Sequence, residues 1–247
     1  MTTIALTQSQ IDWLYHNRIF FDWLGNNTQK VGAVISFDEN LMLEPYCSFR
    51  TGHNLCDMGS FSYTQSNVEH DLVIGRYCSL AWGITFVLGQ HPHHYMSTSQ
   101  FTWGPYQEVA KMPLVDAGIK EWRYPEFNWR NKPCVIEHDV WIGANCLIKE
   151  GITIGTGAVI AAHSVVTKSV PAYSIVGGNP ARVIKKRFSD SVCDALLESA
   201  WWKYNFTDFQ DAPFSSPEGF LDFFNQKKSS LVEYLPAKIK LIDILAQ

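Results

Sequence analysis

The chain has 247 residues, of which 46% are hydrophobic and 18% charged, with a formal net charge of −4. That is enough for one large domain with appendages, and it excludes both a disordered chain and a nucleic-acid binder held by bulk positive charge. No run of about 18 apolar residues is present to span a membrane, and Met1 to Gln10 lack the basic start and apolar core of a signal segment, so a cytoplasmic protein is expected.

In chain order, residues 3–24 place Ile11, Leu14, Tyr15, Ile19 and Leu24 at amphipathic spacing, which predicts a helix. Residues 1–57 as a whole read as a helical and irregular extension. A weak six-residue unit at Met58-Gly59 is followed by Ile74-Gly75, Leu80-Ala81 and Phe86-Val87, with Cys78 and Ile84 in a second column. From Val135 the period is unbroken: Ile136, Ile142, Ile148, Ile154, Ile160 and Val166 recur every sixth residue, and Val140, Cys146, Ile152, Ala158, Ser164 and Val170 follow four later. A 3.6-residue period cannot keep such columns aligned, whereas short strands joined by turns can. Three units then close one triangular coil of a parallel β-solenoid, stacked at the usual strand spacing of about 4.8 Å. Glycine just after the aliphatic residue suits a corner where a Cβ would clash or a positive φ is needed.

Residues 89–134 interrupt the period with Tyr95, Phe101, Trp103, Tyr106, Trp122, Tyr124, Phe127 and Trp129, an aromatic-rich excursion of the kind that carries function. The periodic domain thus spans 58–188. Over 189–247 a helical tail is predicted: Ser189 caps a segment running to Trp202, and two short helices follow at Pro217–Lys227 and Ser229–Ala246. Six cysteines without a C-x-x-C pair read as reduced thiols, with Cys78 and Cys146 in the core.

The repeat, the His-containing excursion with Ser97-Thr98, the segment Val176-Gly-Gly-Asn-Pro-Ala-Arg182 and the pair Trp201-Trp202 together resemble the xenobiotic acetyltransferases, which are hexapeptide-repeat acyltransferases with a left-handed β-helix fold. The resemblance covers roughly residues 58 to 205. It implies a homotrimer, acetyl-CoA as co-substrate and active sites between subunits. It places the catalytic base at His91, with Gln90 standing where the family commonly has Asn and with His93 and His94 as runners-up. A neutral imidazole suits removal of a hydroxyl proton near pH 7. The donor would lie against Gly143, Ala161, Ala162 and Gly178, where small side chains expose backbone, beside Thr167 and Lys168, with Arg182, Lys185 and Lys186 for its phosphates. Tyr95, Trp103, Tyr106 and Trp122 are the expected acceptor-stacking residues.

No metal is expected, because His138 and His163 fall on non-equivalent corners of the repeat. No acyl-enzyme nucleophile stands out, so direct transfer in a ternary complex is expected. The acceptor is read as a saccharide, glycan or antibiotic-like alcohol. N-acylation of an amino sugar and a non-catalytic trimeric binding or assembly module are the alternatives.

Overall fold

The protein is described by a computed structural model covering residues 1–26, 29–87, 89–104, 107–127 and 133–247. It divides into two compact units, one of residues 1–86 and 133–247 and one within 87–132. The first unit is mainly β, and the repeat supplies three sheets that the chain visits in rotation, parallel throughout except that Ala181–Lys186 pairs antiparallel with Ser174–Gly178 at one edge. One has four strands (Asp57–Met58, Val73–Ile74, Val135–Ile136, Thr153–Ile154), one has three (Thr85–Val87, Leu147–Lys149, Val165–Val166), and one has eight, running from Ile19–Phe20 to Ala181–Lys186.

Register follows the period of six. Ile74 pairs with Ile136 and Ile136 with Ile154, while Leu80, Ile142, Ile160 and Val176 form a continuous row in the eight-stranded sheet. Val73 pairs with Val135 across the whole excursion, so 87–132 is inserted without a slip. Both predicted columns are buried. Alternate strand residues face outward, as the two-residue period requires. On one strand Ile148 is 0% exposed and its neighbour Leu147 40%.

The corner glycines work by sterics. A Cβ on Gly143 would fall 2.6 Å from the Ala162 nitrogen, and one on Gly155 2.6 Å from that of Ala172. The positive φ sits two residues further on, at Phe61, Tyr77, Asp139, Asn145, Gly157 and His163. Such angles are costly for bulky residues. Each is held by a hydrogen bond from its own N–H to the preceding round, for example Asp139 N to Arg76 O at 2.9 Å and His163 N to Ala144 O at 2.8 Å.

The terminal segments depart from expectation. Residues 3–24 are not one helix. Thr2–Ala5 is a strand antiparallel to Val34–Phe37, and helix α1 (Gln8–His16) starts late at a Thr7–Gln10 capping box. Residues 1–57 are also not outside the repeat architecture, because Ile19–Phe20 and Cys47–Phe49 are parallel strands of the eight-stranded sheet. The excursion holds helix α2 (Glu108–Asp116), which Pro113 disguised in the sequence. In the tail, α3 (Asp190–Ser199) is capped by Ser189 and α4 spans Pro217–Lys227 as predicted. The helix expected over Ser229–Ala246 is absent: Ile239–Lys240 pairs with Met42–Leu43, and Leu241–Ala246 is a 3-10 helix that buries Leu241 and Ile244.

An aromatic ladder on one corner docks the tail. Tyr46, Phe61 and Tyr77 stack at 5.8 and 4.9 Å, and Phe206, Tyr234 and Trp201 pack on them. Where Asp139 and Gly157 interrupt the ladder, Arg187 enters, with Nη1 2.8 Å from both the Asp139 carboxylate and the Gly157 carbonyl. The fold therefore rests on the inward columns. Ile148→Ala should cost about 2–5 kcal/mol in chemical denaturation, and Leu147→Ala on the same strand well under about 1 kcal/mol; equal costs would contradict the register.

Candidate active site

In the excursion, the 3-10 turn Gln100–Thr102 carries the chain back so that Trp103 meets the ring of His91 edge to face at 5.1 Å. His91 is exposed, and its Nδ1 lies 2.7 Å from the Thr98 carbonyl oxygen. A carbonyl only accepts, so Nδ1 carries the proton and the neutral ring presents the Nε2 lone pair outward. The same oxygen accepts from the Trp103 indole N–H at 3.1 Å. Thr102 Oγ1 donates to the Ser97 and Ser99 carbonyls at 2.9 and 2.8 Å, fixing the segment around Thr98. The unit is an imidazole with a set tautomer on a braced backbone.

Trp103, expected to stack on the acceptor, is only 7% exposed, with its ring between His91 and Phe127, 5.5 Å from the latter, which leaves little of it open to such a contact. Tyr95 is half-buried against Phe127, and Trp122 is 47% exposed with its indole N–H on the Phe101 carbonyl. Tyr106 lies outside the described residues. His93 and His94 are exposed and pack edge to face at 5.7 Å. Among the described residues no group of three metal-ligating side chains converges.

In the first unit, Gly143, Ala161 and Gly177 occupy equivalent places on successive strands of the eight-stranded sheet, with Ala162 and Gly178 exposed beside them. The Gly143 and Ala161 N–H groups bond the Ile160 and Val176 carbonyls at 2.9 Å, so these two donors belong to the strand ladder. Small size remains their contribution. Thr167 and Lys168 follow a strand of the three-stranded sheet and so belong to another corner. On the edge strand Ala181–Lys186, Arg182 and Lys185 are exposed, while Lys186 is tied to Asp190 in an ion pair.

The histidines within the repeat have structural surroundings. His163 turns a corner at φ 59. His138 Nδ1 accepts the Arg76 backbone N–H at 3.0 Å, and its ring stacks on Trp202 at 5.2 Å. Burial, reinforced by the Arg76 charge, pushes its pKa below the ordinary 6.5.

Comparison with known proteins follows the same lines. Residues 133–168 match the family model "Bacterial transferase hexapeptide (six repeats)". A chloramphenicol acetyltransferase of Klebsiella aerogenes is 35% identical over 161 residues, covering 65% of this chain and 72% of that protein. A probable macrolide acetyltransferase of Lysinibacillus sphaericus is 36% identical, covering 56% and 77%. A crystal structure of a hexapeptide-repeat-containing acetyltransferase from Vibrio cholerae is 26% identical over 60% of this chain and 70% of that one, with a TM-score of 0.38.

The two best-defined imidazoles should show opposite neutral tautomers in long-range 1H–15N spectra, Nδ1–H for His91 and Nε2–H for His138. Identical patterns would refute the hydrogen-bond assignments. A depressed folded-state pKa makes His138 favour the fold fully above about pH 6.5, with that contribution lost as pH falls through the folded value. Its NMR titration midpoint is therefore expected below 6.5, and His138→Gln should flatten the loss of stability on acidification.

Proposed function

The chain belongs to the xenobiotic acetyltransferases, within the hexapeptide-repeat acetyltransferases, and we propose that it transfers acetyl from acetyl-CoA to a hydroxyl group of a saccharide or antibiotic-like acceptor, with His91 as general base. The observation that carries this reading is the Thr98 carbonyl, which fixes the His91 tautomer with Nε2 as the lone-pair nitrogen. When bound, acetyl-CoA supplies an activated thioester. His91 Nε2 takes the acceptor's hydroxyl proton as the oxygen attacks, and the resulting imidazolium keeps its Nδ1–H on Thr98, a charge-assisted bond that strengthens as the ring becomes charged. Trp103 keeps the ring from rotating.

The donor fits the small-residue corner of Gly143, Ala161, Ala162 and Gly178, where short side chains leave room beside the strands. Arg182 and Lys185 suit its phosphates, and Lys186 contributes less because Asp190 shares its charge. Thr167 and Lys168 stand at a second corner, which the donor reaches if it lies in a seam between neighbouring copies. In this proposal the sheets form the left-handed β-helix of the family and associate as a homotrimer. Exposed Trp82, Trp141, Val183 and Ile184 are apolar surface for such contacts. Tyr95 and Trp122 remain for the acceptor. Six buried, unpaired cysteines suit a reducing cytoplasm. A non-catalytic module is set aside by kinship with acetyltransferases.

His91→Ala should lower kcat by about 10²-fold or more without weakening CoA binding. Turnover within a few-fold of wild type would overturn the assignment of the base. The product should be an ester, released by mild alkali; a stable amide would show N-acetylation instead. In light scattering the particle should have three times the 28.1 kDa chain mass, and a monomer would remove the proposed seam.

A further inference from the structure

A cleft of about 530 Å³ lies on the first unit, and none of the residues assigned to acetyl transfer lines it. Residues 40–44, the repeat and the tail all contribute to its walls. On its floor, Arg76 makes a two-pronged pair with Glu44, Nε to Oε2 at 2.6 Å and Nη2 to Oε1 at 2.8 Å, and its Nη1 reaches the Trp202 carbonyl at 3.4 Å. The Ser60 N–H donates to Glu44 at 2.9 Å, and the Tyr234 ring covers the guanidinium at 5.1 Å. Gly59 makes this possible, because a Cβ there would fall 2.8 Å from the Arg76 side chain. The polar floor is thus preorganised by short hydrogen bonds.

Charge decides the class of occupant. Three acids, Glu44, Asp57 and Glu233, line the cleft with three bases, Arg76, Lys203 and Lys238. The Arg76 and Glu44 charges cancel each other, and Lys203 stands 3.9 Å from Glu233. An anion would meet carboxylates and a cation would meet ammonium groups, whereas a neutral, hydroxyl-rich molecule finds donors and acceptors side by side. Trp202 and Tyr234, both partly exposed, offer rings for the C–H faces of such a ligand. The volume falls in the range of small-molecule sites, about 300–1,000 Å³.

We infer that this cleft binds a neutral oligosaccharide segment of a few sugar rings, held between the Trp202 and Tyr234 rings and the polar groups of Glu44, Asp57, Arg76 and Lys238. The assignment goes beyond the transfer reaction and stands whether or not the bound carbohydrate is the molecule acetylated.

The test uses the full chain with maltotriose, cellotriose, mannotriose and N,N′,N″-triacetylchitotriose, all neutral, in saturation-transfer NMR. At least one should bind saturably, and both Trp202→Ala and the exposed-rim double variant Asp57→Ala/Lys238→Ala should weaken it tenfold or more. The rim variant guards against a folding defect at Trp202, which packs on His138. No binding by any of the four, or binding unaffected in the rim variant, overturns the inference. His91→Ala retains the cleft, so sugar binding by that variant separates this outcome from failure of the transfer mechanism, and CoA binding read in parallel reports the donor site alone.

Discussion

Backbone hydrogen bonds between one round of strands and the next are the constraint on which everything else depends. The Gly75 N–H reaches Ile136 O at 2.8 Å, Glu137 N reaches Ile154 O at 2.9 Å, and Ala81 N reaches Ile142 O at 3.0 Å. These ladders fix a six-residue register, and the register in turn stacks Ile74, Ile136 and Ile154 into a dry column. A one-residue slip would turn the whole set outward. The same bonds hold the positive-φ corners, so local strain is offset by a contact one round away.

Because the register is so strongly specified, long segments are added without disturbing it. The excursion follows the round that starts at Val73, and Val135 then pairs with Val73 as if nothing intervened. An insertion of this kind escapes the two-residue alternation of a strand, and the His91 segment uses that freedom to fold around a single carbonyl oxygen. In the C-terminal tail, side-chain chemistry adds to backbone pairing. Tyr46, Phe61 and Tyr77 form a hydrophobic corner that receives Trp201, Phe206 and Tyr234.

The same aromatic docking creates the cleft beside Arg76. Tyr234 meets both Phe61 and the guanidinium, and the Trp202 that stacks on His138 also turns its carbonyl toward Arg76. Packing of the tail and construction of a polar pocket are therefore one event. Replacing tail residues for stability would change what the pocket presents.

By itself, the sequence determined the inward columns, the parallel β class, the capped helix after Ser189 and the helix at Pro217–Lys227, because each is written in local spacing or in a single capping residue. It also singled out the loop containing His91. Only the tertiary structure decided that Ile19–Phe20 and Cys47–Phe49 join the eight-stranded sheet, that Ile239–Lys240 pairs with a strand nearly 200 residues earlier, and that Trp103 packs on the His91 ring. Two-residue strands carry too little periodicity to declare themselves, and their partners are distant in the chain. The acceptor that fixes His91 is a main-chain oxygen, which has no signature in any side chain, and the Glu44–Arg76 pair exists only because the fold brings together charges that local spacing leaves unrelated.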